Sequence, residues 1–384
     1  MNYDATWRCR SANCFEKIEQ VGEGTYGNVF KAQDRVTKEV YAMKKIKMDR
    51  EKEGFPITAL REIRLLKQMD HPNIIKLREI VTSKASDERL PGNVYLMFEY
   101  MEHDLEGLLN MTNPRIDYSV PHLKCFIKQM LQALDYLHSR NIVHRDVKCA
   151  NLLVNNKGEL KLGDFGLARN ISSNPNEMYT NRVITLWYRP PELLFGSTKY
   201  SYEVDMWSAG CIIGEILARQ PMFPESDEQK TLQRIFSVCG TPSETTWSGA
   251  AQLPHYEKLM PRERIPRRLK VKYADRTQYP NFDELALDLL DKLLQLNPSD
   301  RINSAQALAH PYFTTEPLPC EPSELPRVEK EMHEWYVKKQ RKKPVNIKDG
   351  QRVDPTSYPR PPAKRPGGSH SASPTKKQYE DTRF

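Results

Sequence analysis

The sequence predicts an α+β fold in two lobes: a small antiparallel β lobe with one key helix, and a larger, mostly α-helical lobe. Three observations predict it. The chain has 384 residues, 39% of them hydrophobic, which is enough for more than one core at about 150 residues per domain. Residues 15–100 alternate short β-rich runs with turn signals. From Met101 onward the apolar residues recur at helical spacing. The expected divisions are an N-terminal extension over 1–14, a small lobe over 15–100 and a large lobe over 101–313. A C-terminal extension with a basic helix follows over 314–343, then a disordered, basic, proline-rich tail over 344–384.

FEKIEQV, NVFKAQD and VYAMKKI read as strands, with EGTYG and DRVTKE as the turns between them. A helix is predicted from Ile57 to about Met69, with Pro56 at its N-terminal edge and the His71-Pro72-Asn73 break after it. IIKLREIV and NVYLMFEY are two more strands, separated by the polar loop TSKASDERLPG. In HLKCFIKQMLQALDYLHSR, Leu123, Phe126, Ile127, Met130, Leu131, Leu134 and Leu137 mark one helical face. VDMWSAGCIIGEILARQ is apolar nearly all round and is expected to be buried. ALDLLDKLLQL is amphipathic, and a last helix is predicted near LPRVEKEMHEWYVKKQRKK.

The net charge is +8, and after Pro319 there are 15 lysines and arginines against 9 acidic residues. Most of the excess is therefore in the tail, where it suits acidic partners such as nucleic acid or a phosphorylated protein, or else simply solvates the chain. Seven cysteines without a CxxC pair suggest reduced thiols in an intracellular protein and argue against a structural zinc site. MNYDATWRCR lacks the apolar core of a signal peptide. CIIGEILA is too short to cross a membrane and is broken by Glu215, so no membrane partner is expected.

Four short stretches carry chemistry. GEGTYGNV (22–29) lies between two predicted strands. Without Cβ atoms, Gly22, Gly24 and Gly27 let the backbone approach phosphates, although a glycine hairpin is as often only a turn. Lys44 ends the third strand. With a glycine loop upstream and Glu62 on the following helix, it gains a carboxylate partner and a role on the α- and β-phosphates of a nucleotide. HRDVKCAN (144–151) fits H-R-D-x-x-x-x-N. Asp146 is placed to accept a substrate hydroxyl proton, Lys148 to neutralise the transferring phosphoryl group, and Asn151 to bind magnesium. DFG (164–166) adds Asp164 as a second hard oxygen ligand. Each stretch alone fits an ordinary loop; the four in this order do not.

Over about residues 15 to 313 the chain resembles the eukaryotic protein kinases. The resemblance implies a two-lobed kinase fold with ATP and Mg²⁺ between the lobes. It implies catalytic roles for Asp146, Lys148, Lys44 and Glu62. It also implies a nucleotide site of Gly22, Glu23, Gly24, Gly27, Val29, Ala42, Lys44, Phe98, Glu99, Met101, Asp104, Asn151, Leu153 and Asp164, with Asn151 and Asp164 on the metal. MFEYM (97–101) resembles the hinge. There Phe98 backs the adenine pocket, the backbone of Glu99 and Met101 meets adenine, and Asp104 reaches the ribose. WYRPPE (187–192) stands where the family has A-P-E, which implies a Glu192–Arg301 pair, and Asp205 is implied to brace the catalytic loop. Gly163 before DFG is expected to loosen that turn.

Arg61, Arg145 and Arg169 come from three segments, and three converging cations need an anion. A phosphate on Thr180, added by an activating kinase, would supply it and order the segment from Asp164 to Glu192; otherwise Thr180 is a loop residue. FPITALRE (55–62) resembles the helix by which cyclin-dependent kinases bind a cyclin, with Pro56 and Ile57 facing the partner and Glu62 turning inward only when pushed. EGFPITALREI, EYMEHDL, YTNRVITLWYRPPELL and PLPCEPSELP are similar to the transcriptional branch, the plant C-type kinases and animal relatives that phosphorylate the C-terminal heptads of RNA polymerase II. That resemblance implies a nuclear protein promoting transcription elongation. It also implies that His333 and Glu334 reach back to the nucleotide, with KKQRKK as a nuclear localisation signal. Arg169 is expected to cap a carbonyl near Ile184, leaving no acceptor for a substrate N–H and favouring proline after the phosphoacceptor. Thr25 and Tyr26 match inhibitory phosphosites of cell-cycle relatives, and Ser373-Pro374 is a proline-directed site in the tail. The competing readings are a cell-cycle kinase of the same fold and a pseudokinase scaffold.

Overall fold

The computed structural model describes residues 9–24, 27–46, 56–83, 92–111, 115–174 and 176–342. In the small lobe, β1 (Phe15–Gly24), β2 (Gly27–Asp34), β3 (Val40–Lys45), β4 (Leu77–Thr82) and β5 (Val94–Glu99) form an antiparallel sheet in the order β1-β2-β3-β5-β4. Alternation along β3 sorts its side chains. Met43 faces a small core with Phe15, Ala32, Val81, Tyr95 and Met97, so Ala42 and Lys44 face the other lobe. The register sets Lys44 opposite Val29 and Leu96, and Ala42 opposite Phe98.

Helix α1 (Ile57–Leu66) ends three residues before the predicted limit. Gln68 N–H and Met69 N–H turn back to Leu65 O and Leu66 O, tightening the chain ahead of the His71-Pro72 break. The strand expected at IIKLREIV begins only at Leu77. The large lobe captures the two isoleucines instead: Ile74 bridges Leu162, and Ile75 N–H donates to Leu162 O at 3.0 Å.

In the large lobe, two short ladders fix the loops: β6 (His103–Asp104), β8 (Leu152–Val154) and β9 (Leu160–Leu162) form one, and β7 (Ile142–Val143) with β10 (Arg169–Asn170) the other. Helix α2 (Leu105–Leu109) follows β6, and α3 (Val120–His138) starts with Pro121 in its first turn, where no N–H is missed. After α4 (Pro191–Leu194) comes α5 (Glu203–Ala218), in which every residue from Val204 to Leu217 is buried, as its all-round apolar sequence requires. The shell is completed by α6 (Glu228–Cys239), α7 (Tyr256–Leu259), α8 (Leu269–Tyr273), α9 (Glu284–Leu293) and α10 (Ser304–Leu308). Among the described residues no helix is long and apolar enough to cross a membrane.

Beyond Phe313 the chain runs back along the large lobe as a strap. Lys124 Nζ donates to Thr315 O at 3.0 Å, and Asp104 N–H donates to Met332 O at 3.0 Å. Gly107 allows that approach, since a Cβ there would lie 2.4 Å from Met332 O. The last helix among the described residues is α11 (Glu334–Lys342), which packs on α2 and β1. Thr25, Tyr26, Phe55, Ser373, Pro374 and the tail over 344–384 lie outside the described residues.

Candidate active site

A cavity of about 610 Å³ opens between the lobes. Its roof comes from β1, β2 and β3 through Val21, Gly22, Glu23, Val29, Ala42 and Lys44. The turn into β2 needs glycine at position 27: its φ is 153°, and a Cβ would sit 1.7 Å from Lys45 O. Gly24 pairs with Gly27 at the tip.

Lys44, only 8% exposed, carries its charge into the cleft because two carboxylates meet it. Its Nζ lies 2.7 Å from Glu62 Oε1 and 3.0 Å from Asp164 Oδ1. Burial alone would depress the ammonium; Asp164 and Glu62 outweigh it and hold Lys44 above its usual pKa. Burial would likewise raise Asp164, yet Lys44 and Lys148 keep its carboxyl well below the usual range. Glu62 points inward in this single-chain structure, so the chain reaches the arrangement that was expected only after a push from a partner. Asp164 takes a left-handed backbone, φ 55°. Gly163 does not loosen the turn before it: Gly163 N–H donates to Asn151 O at 2.8 Å, and its carbonyl lies 3.0 Å from His144 Nε2.

Across the cleft, Asp146 is held on several sides. Lys148 Nζ is 3.0 Å from Asp146 Oδ2, and Asn151 Nδ2 donates to Asp146 O at 2.7 Å. Thr185 donates to Asp146 Oδ1 through both its N–H, at 3.1 Å, and its hydroxyl, at 2.9 Å. The loop is anchored from below by fully buried Asp205, which accepts from His144 N–H at 2.8 Å and Arg145 N–H at 2.9 Å, with His138 Nε2 3.1 Å away. Arg145 itself is left-handed at φ 64°. Glu192 and Arg301 form a buried two-point pair at 2.9 and 3.1 Å.

Of the three arginines, Arg145 is already engaged. Its Nε donates to Leu167 O at 2.8 Å and its Nη1 to Tyr200 OH at 3.0 Å, and Tyr200 OH in turn donates to Thr180 O at 2.7 Å. Arg61 is exposed, and Arg169 is lowered from its usual pKa by burial and then by the charges of Arg145 and Arg61, which places the three cations within each other's field. Thr180 is exposed beside them. The cap on Ile184 differs from the expected one. Ile184 is left-handed, φ 65°, and its carbonyl accepts from Arg189 Nε at 3.2 Å and Nη2 at 3.0 Å. Arg169 does not make this contact. It lies in β10, paired with Val143, whereas Arg189 follows the turn and is braced by Glu228.

Phe98, Glu99, Met101, Leu153 and Asn151 line the cavity, as does Asp104. Both Asp104 oxygens are occupied: Oδ1 accepts from Gly107 N–H and Oδ2 from Glu334 N–H, each at 2.7 Å. Sequence reasoning did not single out Val21, Ile75, Tyr100, Ala150, Trp335, Lys338 or Lys339, which also line the cavity, nor Thr185. The last three lining residues belong to α11, and only the resemblance at His333 and Glu334 pointed towards them. Among the described residues no group of three or more His, Cys, Asp or Glu side chains could hold a metal alone. The oxygens of Asp164 and Asn151 suit a hard cation whose remaining ligands are phosphate and water.

The protein kinase domain model matches residues 15–313. Cyclin-dependent kinase C-1 of Oryza sativa subsp. japonica is 47% identical over 371 residues, which cover 94% of this chain and 70% of that one. The chain spans 65% to 74% of the length of four plant C-type relatives. Among solved structures, the yeast RNA Pol II CTD kinase CTDK-1 complex matches with a TM-score of 0.72 and 40% identity, over 83% of this chain and 98% of that one. The CAK complex from Chaetomium thermophilum bound to ATP-gamma-S matches with a TM-score of 0.73 and 36% identity, over 82% and 95%. The chain belongs to the protein kinase family, and within it to the cyclin-dependent serine/threonine kinases of the transcriptional, CTD kinase type.

Proposed function

We propose that this kinase, activated by a cyclin, transfers the γ-phosphate of ATP to serine or threonine before proline in the C-terminal heptads of RNA polymerase II, promoting transcription elongation in the nucleus. The observation that carries the reading is the convergence on one cavity of Lys44, Glu62 and Asp164 from one side and Asp146, Lys148 and Asn151 from the other.

The roles follow from the chemistry of these groups. Lys44, oriented by Glu62, holds the α- and β-phosphates, and the glycine turn offers backbone N–H groups. Asp164 and Asn151 would hold magnesium, which when bound would neutralise charge on the phosphates. The substrate hydroxyl oxygen attacks the γ-phosphorus, its proton passes to Asp146, and the bond to the β-phosphate oxygen breaks. Lys148, 3.0 Å from Asp146, offsets charge on the moving group. Phe98 and the backbone of Glu99 and Met101 take adenine. The ribose is left to Asp104 together with His333, whose Nε2 is buried and has no hydrogen-bond partner among the described residues.

The cyclin would meet α1, where Ile57 and Leu60 are 58% and 52% exposed while Ala59, Leu65 and Leu66 are buried; the partner then holds Glu62 in its inward position. A phosphate on Thr180 would join Arg61, Arg145 and Arg169. The left-handed Ile184, its carbonyl already satisfied by Arg189, favours a residue without an N–H after the phosphoacceptor. The relatives named for CTD kinases favour the polymerase heptads as substrate, and the basic residues after Pro319 favour nuclear import, with nucleic-acid contact a further use. Kinase purified with its cyclin should phosphorylate a Ser-Pro heptad peptide at least about 10-fold faster than the same peptide with Ser-Ala, the worth of about 1.4 kcal/mol. Equal rates would refute the proline rule, and the absence of transfer to any heptad peptide would refute the substrate.

A further inference from the structure

Cys320 stands on the strap and Cys125 on α3, and the structure brings them together. Cys320 N–H donates to Pro121 O at 3.3 Å, one helical turn before Cys125. Lys124 Nζ holds Thr315 O at 3.0 Å, so the strap is fixed on the same stretch of α3 at two points. That backbone contact sets Cys320 beside the helical turn that carries Cys125, so the two thiols lie within each other's field. Gln129, one turn further along, donates to Cys125 Sγ at 3.4 Å and to Gly158 O at 3.1 Å. The strap is held close to Gly158 as well, where a Cβ would lie 1.8 Å from Pro322 O.

We infer that Cys125 and Cys320 form a redox-closable staple: a disulfide between them fastens the strap, whose far end lines the nucleotide cavity, to the large lobe. Cys125 is buried and Cys320 half-exposed, which fixes the order of events. An oxidised disulfide such as glutathione disulfide reaches only Cys320. Its thiolate attacks one glutathione sulfur, giving Cys320–S–SG and one reduced glutathione. Cys125 then attacks the Cys320 sulfur, forming the protein disulfide and expelling a second glutathione, and each departing thiolate takes up the proton lost by the attacking thiol. Two thiols are oxidised and one disulfide is reduced. Burial pushes the Cys125 thiol up to about 12 and raises Cys320 as well, so both rest as thiols and the staple closes slowly, under sustained oxidation.

The test treats the full chain with glutathione disulfide, maps peptides by mass spectrometry without reduction, and follows trypsin cleavage after the exposed Arg327 and Lys330. The inference expects a linked Cys125–Cys320 peptide. It also expects cleavage at those two sites to slow by roughly threefold or more, because the strap opens less often, and to recover with dithiothreitol. Cys320→Ser, at a half-exposed position, should fold normally and show neither effect. The inference is overturned if Cys320 stops at the glutathione adduct, if the linked peptide forms only in denaturant, or if the link forms and strap cleavage is unchanged. None of these readouts depends on kinase activity.

Discussion

Replacing Asp205 by Asn should separate the stability of this fold from its catalysis. The carboxylate is fully buried and accepts from His144 N–H and Arg145 N–H, with His138 beside it. Asn keeps one acceptor and turns an NH₂ group towards the other N–H. One charge-assisted hydrogen bond is lost, at about 1.5–3 kcal/mol. The left-handed Arg145 can then relax and recover about 1–2 kcal/mol. The net loss of stability should therefore be modest, about 0.5–1 kcal/mol, read by urea unfolding followed by tryptophan fluorescence. The same relaxation moves Asp146, and a displacement of about 1 Å should lower kcat about 100-fold. Burial would raise Asp205, but His138 and the His144 N–H outweigh it and hold the carboxyl below its usual value. Its stabilisation is thus present above the unfolded pKa of about 3.9 and fades as pH falls through the lower folded value, a loss absent from the Asn variant. If Asp205→Asn kept kcat within about threefold of the parent, the claim that this carboxylate positions the loop would be wrong.

Other expectations can be checked alongside. Arg301→Met leaves Glu192 charged and buried and should cost about 3–5 kcal/mol in urea unfolding; a loss below about 1 kcal/mol would contradict the buried pair. Glu62→Ala removes one of the two carboxylates on Lys44 and should reduce kcat/KM for ATP by about 100-fold, roughly 2.7 kcal/mol, whereas an unchanged value would dissociate Glu62 from the site. Arg189→Met frees the Ile184 carbonyl to accept from a substrate N–H, so the preference for Ser-Pro over Ser-Ala peptides should fall by about 10-fold; a preserved preference would assign the rule elsewhere. Thr180→Ala, assayed with the cyclin bound, should lower activity by about 10- to 100-fold, the worth of one or two charge-assisted bonds, and full activity would dismiss the phosphate.

What could be read in the sequence was local. HRDVKCAN and DFG name their chemistry within a few residues, and the all-round apolar stretch at α5 left no choice but burial. Lys44 and Glu62 could be paired in advance because a buried cation requires a partner and Glu62 stands inside the predicted helix that follows the strand, among apolar neighbours. What could not be read was distance. Arg169 and Arg189 both flank Ile184 in the chain, and only the β7–β10 ladder shows that Arg169 is already placed elsewhere. Thr185 bears no periodic mark, yet it fixes Asp146 through two hydrogen bonds. Asp104 was expected to line the cavity, and it does; that its oxygens also cap α2 and receive Glu334 N–H from 230 residues away is a contact that no local pattern encodes. The late start of the strand read from IIKLREIV has a similar cause, because Leu162 in the other lobe captures Ile74 and Ile75.

The most direct test of the account is phosphate transfer from radiolabelled ATP with magnesium to a Ser-Pro heptad peptide, by the chain purified with its cyclin, comparing the parent with Asp146→Asn. The account predicts transfer to serine by the parent and a loss of about 1,000-fold or more in the variant, whose amide cannot take the hydroxyl proton. Equal transfer by both proteins, or none by the parent, would contradict it.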